Sequence, residues 1–212
     1  MTGTDRLVGL RQRDVVAQAL SQGAVVGLPD VGSYVLGVRA SDTRTQARLD
    51  TLATAGRHPE YLVGRTEQAR RLSEEWLDST QRLVVRCWPG PLTVLVSPQV
   101  GAAAAIGVRM PGRRALRHLL VDTGPLRVIP VNMHTAAEVA SHFLPTEVAF
   151  VIDGGTCAGP GPTVVDGTSS ALTIRSEGAL PAEFIEAALL MGTRRRRWFR
   201  SGGVSGTGDA GA

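Results

Sequence analysis

Five short patterns carry groups able to do chemistry. Ile106-Gly107-Val108-Arg109-Met110-Pro111 sets one arginine in an apolar, strand-like run. A charge taken out of water needs a partner, so Arg109 is expected to be ion-paired or to hold a ligand. Ala24-Val25-Val26-Gly27-Leu28 ends at Pro29-Asp30 and Gly32. That is either an ordinary turn or the strand-end position at which α/β proteins place ligand groups. Val128-Ile129-Pro130-Val131-Asn132 ends in an amide, and Val148-Ala149-Phe150-Val151-Ile152 runs into Asp153-Gly154-Gly155 and a Gly/Pro-rich loop. The fifth pattern is Trp88-Pro89-Gly90-Pro91 feeding Thr93-Val94-Leu95-Val96. Its prolines fix φ near about −65°, Gly90 can take angles closed to other residues, and the stiff corner can aim backbone groups at a fixed point.

The basic chemistry is all arginine: the 23 basic residues include no lysine. This excludes Schiff-base catalysis and a Walker-type lysine, and leaves guanidinium forks suited to carboxylate and phosphate. A net charge of +4 and pI near 10.0 are compatible with a nucleotide or RNA partner. Cys87 and Cys157 form neither a disulfide framework nor a metal site. His134 and His142 lack a third ligand at metal-binding spacing and read as surface or core groups. No apolar run reaches the roughly 18 residues of a membrane span, and no export signal is recognisable, so a cytoplasmic protein is expected.

The positioning elements read as follows. Helices are predicted over 6–20, 43–54 (capped by Asp42), 66–86, 113–121, 134–142 and 181–192. Strands are predicted at 24–28, 34–38, 61–63, 93–96, 106–111, 128–132, 148–152, 163–166 and 172–175. Strands and helices mix without strict alternation, which predicts a single α/β domain with a mixed twisted open sheet flanked by helices. The domain is assigned to 1–193. Residues 194–212 are an Arg-rich, then Gly/Ser-rich tail expected to be disordered, either solvated or able to grip single-stranded RNA.

The order of these patterns resembles the YrdC/Sua5 family, the threonylcarbamoyl-AMP synthases that start t6A modification of tRNA. The resemblance runs from about Ala24 to Leu180. It rests on Pro29-Asp30 with Tyr34 and Gly37, Trp88-Pro89-Gly90-Pro91-Leu92-Thr93, and Gly107-Val108-Arg109-Met110-Pro111. It continues through Asn132, Asp153-Gly154-Gly155, Thr163-Val164-Val165-Asp166 and Ile174-Arg175. The resemblance implies a concave, basic cavity binding ATP and L-threonine. It also implies joining these with bicarbonate into threonylcarbamoyl-adenylate, with release of pyrophosphate and help from Mg²⁺. It places the threonine carboxylate on Arg109, with Tyr34 and Thr163 also on the substrate side. Arg57, Asn132 and Arg175 are placed on the nucleotide, Arg57 and Asn132 being the catalytic candidates.

Departures accompany the resemblance. The lysine of the family's Lys-x-Arg element falls at Ala55, the serine of its Ser-x-Asn element at Pro130, and the serine before Thr-Val-Val-Asp at Pro162. The family's Pro-Thr-Asp-Thr-x-Tyr-Gly becomes Pro29-Asp30-Val31-Gly32-Ser33-Tyr34-Val35. One missing preorganised polar group in such a site costs on the order of 10²–10³ in rate, unless Arg39 or Arg65 substitutes. Two readings therefore stand: an active nucleotidyltransferase, or a catalytically silent paralogue that binds nucleotide or RNA.

Overall fold

In the computed structural model, residues 6–9, 11–53, 58–99, 105–144 and 146–190 are described. They form one ten-stranded mixed sheet flanked by helices. In chain order the elements are β1 (Leu7–Gly9), α1 (Arg13–Ser21), β2 (Val26–Pro29), β3 (Tyr34–Arg39), α2 (Thr43–Thr51) and β4 (Glu60–Leu62). Then come α3 (Thr66–Arg70), α4 (Asp78–Cys87), β5 (Leu92–Val96), β6 (Ile106–Arg109), α5 (Arg114–Thr123) and β7 (Leu126–Pro130). The last are α6 (Ala136–Phe143), β8 (Phe150–Asp153), β9 (Thr163–Asp166), β10 (Thr173–Ser176) and α7 (Ala182–Leu190). Across the sheet the strands run β1-β8-β2-β3-β7-β4-β6-β5-β9-β10.

The local signals act as expected in several places. Asp42 caps α2 by accepting from the Thr45 amide at 3.1 Å. β5 is buried along its whole length and lies between β6 (antiparallel) and β9 (parallel), which explains its run of apolar residues with Thr93 as the one polar member. α1 packs on α5, and α4 on α7.

Two expected helices are corrected. The helical spacing over 6–20 conceals β1, in which Leu7 pairs with Val151 of β8 before the chain turns into α1. The helix expected over 66–86 is α3 and α4 with a break between them. There Ser73 bridges Pro98, and the Glu74 amide bonds the Ser97 carbonyl at 3.1 Å, so the chain is diverted to the strand beyond β5. The tail from 194 onward lies outside the described residues.

The Trp-Pro-Gly-Pro corner is clamped on three sides. The Trp88 indole N–H donates to the Leu92 carbonyl at 2.8 Å, the Gly90 amide to Met110 at 2.9 Å, and the Thr163 amide to Pro91 at 2.9 Å. Gly90 is required for room, because a Cβ there would lie 2.4 Å from the Cys87 carbonyl oxygen. Gly90→Ala should therefore lower stability by about 1–3 kcal/mol in urea denaturation, the range for forced overpacking.

Candidate functional site

β6 delivers Arg109 from a strand buried at every position. The corner sets β5 in register beside it, with Val94 opposite Val108, so that Thr93 falls next to Arg109 and its Oγ1 accepts from Nε at 3.2 Å. The remaining face of the guanidinium meets Asp30, which leaves β2 in a tight turn. Nη1 donates to Oδ1 and Nη2 to Oδ2, in a bidentate pair whose side chains are each 3% exposed. The turn is fixed by the Asp30 amide bonding Ser33 at 3.2 Å and by Gly32 at φ 77°. A Cβ on Gly32 would lie 2.9 Å from the Gly161 amide nitrogen, so the turn sits directly against the 159–161 loop.

Above this pair opens a cavity of about 410 Å³ lined by Asp30, Ser33, Glu60, Arg109, Pro130, Asn132 and His134 and by the Gly159–Pro162 loop. Asn132 stands beyond the end of β7 in the left-handed region, at φ 52°, a conformation that asparagine tolerates better than most residues. His134 Nδ1 lies 3.0 Å from the Gly32 carbonyl and 2.8 Å from that of Cys157. Carbonyls only accept, so Nδ1 carries a proton and is held between the two.

A second cavity of about 850 Å³ adjoins the first, sharing Glu60, Gly161 and Pro162. Its walls include His58, Asp166, Thr168, Arg175 and Glu177. Arg175 is held at the rim by Asp166, with Nη2 at 2.6 Å and Nε at 3.1 Å from Oδ2. The Thr168 hydroxyl (2.7 Å) and amide (3.0 Å) also donate to Asp166. The Thr168 hydroxyl first, then its amide and Arg175, hold the Asp166 carboxyl down at about 2 against the opposing effect of burial.

The positive charge in the described lining is paired, and Arg57, which the resemblance places on the nucleotide, lies outside the described residues. Among the described lining residues, Asp30, Glu60, Asp166 and Glu177 outnumber Arg109 and Arg175, and each of those arginines is matched by its own aspartate. Arg39 and Arg65 line neither cavity.

Of the expected site residues, Arg109 and Asn132 meet in the smaller cavity, and Arg175 stands in the larger one. Arg57 lies outside the described residues. Tyr34 and Thr163 sit beneath the floor, fully buried. The Tyr34 hydroxyl donates to the Gly155 carbonyl at 3.0 Å and accepts from the Gly154 amide at 3.1 Å, and burial raises its pKa. The Thr163 hydroxyl donates to the Leu180 carbonyl at 2.6 Å and accepts from the Gly178 and Leu180 amides. Both hydroxyls pin loops that wall the groove. Sequence reasoning missed Asp30 as the partner of Arg109, and His134 and Glu60 as lining residues. The Pro-Asp turn was the one signal for the first, while His134 carried none beyond its closeness to Asn132.

The profile Sua5/YciO/YrdC, described as "Telomere recombination", matches residues 18–178, more than half of the chain. The chain belongs to the Sua5/YciO/YrdC family. It is 29% identical over 192 residues to the threonylcarbamoyl-AMP synthase of Pyrococcus abyssi, covering 82% of this chain and 56% of that protein. The chain thus spans little more than half of this curated relative. The P. abyssi Sua5 structure complexed with L-threonine superposes with a TM-score of 0.75 at 26% identity, over 84% of this chain and 57% of that one. E. coli YciO shares the fold, with a TM-score of 0.74 at 19% identity over 83% of this chain and 93% of its own.

Two outcomes follow from the family groove as built here. Tyr34→Phe leaves the Gly154 amide and Gly155 carbonyl without their partner and should cost about 1–3 kcal/mol in urea denaturation. Asp166 has a folded-state pKa below the ordinary value of about 3.9, so it stabilises the protein above that pH and the contribution fades as pH falls toward about 2. Asp166→Asn should flatten the stability profile between pH 4 and 2 and lower stability at neutral pH by roughly 1 kcal/mol, as for a partly screened pair.

Proposed function

We propose that the protein is a nucleotidyltransferase of the threonylcarbamoyl-AMP synthase type. It joins an amine-bearing substrate, bicarbonate and ATP into a carbamoyl-adenylate and releases pyrophosphate. The observation that carries this reading is the two-lobed groove meeting at Glu60, Gly161 and Pro162. The larger lobe has room for a nucleotide beside Arg175, and the smaller one for the acceptor beside Asn132 and His134. In the smaller lobe the amine nitrogen bonds to the bicarbonate carbon, a C–O bond breaks and water leaves, and an oxygen of the resulting carbamate attacks the α-phosphorus across the shared wall. The bond from that phosphorus to the bridging oxygen breaks, and pyrophosphate leaves with the electron pair. Such a reaction depends on positioning and charge stabilisation more than on covalent help from the protein.

Among the described residues, no group of three His, Cys, Asp or Glu is placed to hold a metal ion. Magnesium in such reactions is held through one or two carboxylates and the substrate phosphates, so it counts with the ATP as part of the substrate. L-Threonine, the ligand of the P. abyssi relative, is the first acceptor to test.

The second reading is a silent relative that binds nucleotide or RNA without turnover. What favours it is that the Arg109 fork is already filled by Asp30, and that Pro130 and Pro162 line the cavity where the family has serines. Pyrophosphate release measured with Mg-ATP, bicarbonate and a panel of amino acids and amines separates the two. The expected result is bicarbonate-dependent release that Arg175→Ala reduces ten- to hundredfold, the loss of about one charged hydrogen bond. ATP binding without release under every condition would leave the silent reading in its place.

A further inference from the structure

Asp30 and Arg109 are the charged residues that are buried among the described part of the chain, 6% and 2% exposed, yet both line the smaller cavity. A buried guanidinium facing a cavity is the fork on which a ligand's carboxylate docks, two parallel N–H groups onto two oxygens. Here Asp30 supplies both oxygens and Thr93 takes Nε. A second carboxylate brought to the fork would lie against the Asp30 charge, at a buried pair that salt screens little.

The other walls reinforce that preference. Glu60 also lines the cavity and its charge acts on Arg109, and His134 stands in the same wall with Nδ1 bound to carbonyls. Among the described lining residues the arginine is already paired with a carboxylate, which suits a ligand that donates N–H groups.

We infer that Asp30 fills the carboxylate subsite of the cavity, so that the acceptor is a primary amine carrying no carboxylate at this end. The inference rests on the reading of the smaller lobe as the acceptor site. Asp30 is then the residue that sets substrate class, and Arg109 serves to hold it.

The test compares L-threonine with 1-aminopropan-2-ol, the same skeleton without the carboxylate, by calorimetry on the full chain and on Asp30→Thr and Asp30→Asn. The wild type should bind the amine more tightly than the amino acid. Asp30→Thr should reverse that order, raising L-threonine affinity about 100-fold as the like-charge clash is removed. The gain should vanish in Asp30→Thr/Arg109→Leu, in which both buried charges are gone and the fold is spared an unpaired one. If Asp30→Thr does not fold, Asp30→Asn and the wild-type ranking still decide. The inference is overturned by wild-type protein that prefers L-threonine or binds no amine, or by Asp30 variants with no gain for L-threonine. ATP titrated into the same proteins keeps the two claims apart. A variant that binds ATP but gains nothing overturns the Asp30 assignment alone, whereas wild type that binds no ATP overturns the nucleotide reading alone.

Discussion

A guanidinium and a carboxylate buried together at the centre of a sheet impose a strict condition on everything around them. Each ion alone would forfeit several kcal/mol of hydration, and the pair holds only when its geometry is good and its remaining donors are satisfied. β2, which leads to Asp30, is third in the sheet, and β6, which carries Arg109, is seventh. In a flat sheet those strands lie about 19 Å apart, far beyond side-chain reach. The turn after β2 must therefore fold over the concave face, and the sheet must curve beneath it. The Trp88 corner contributes the third part of the arrangement by bringing Thr93 to the Nε side.

The family resemblance and the electrostatics of the groove point to different layers of the molecule. The parts that shape the groove are kept: the corner, the buried Tyr34 and Thr163 hydroxyls, and the glycine loop. The described lining includes prolines and paired charges. Pro130 and Pro162 contribute walls without hydroxyls, and the two arginines in the described lining are neutralised from within the chain. Packing fixes the scaffold residues, whereas lining residues answer to the ligand, so the two layers carry separate information about fold and function.

Much of the fold was legible because its signals are local. Asp42 announces α2, the largely apolar run announces β5, and Gly23 closes α1 at φ 78°. β1 was not legible, since three residues become a strand only through a partner more than a hundred positions away. In the site, Arg109 was visible as a charge in an apolar run, but its partner lies 79 positions earlier in a turn that reads as ordinary. Tyr34 and Thr163 were expected at the ligand, and they stand one layer below. Sequence spacing reports which residues neighbour a site and not which way each side chain faces. The pairing of the lining arginines was hidden for a related reason: arginines can be counted from composition, but the carboxylates that pair with them are chosen by the fold.

The loop from Asp153 to Thr163 joins β8, second in the sheet, to β9, second from its opposite edge. Seven inter-strand spacings amount to about 34 Å on a flat sheet. Ten residue steps reach at most about 36 Å even when fully drawn out. The segment is not drawn out: Gly155 and Gly159 turn at φ 79° and 98°, and the Cys157 amide is tied to the His134 carbonyl at 2.8 Å. The sheet is therefore held curled by a connection too short to let it flatten. The curvature that brings the two cavities side by side is thus held by the turns of a single connection, which shorten it below the span of a flat sheet.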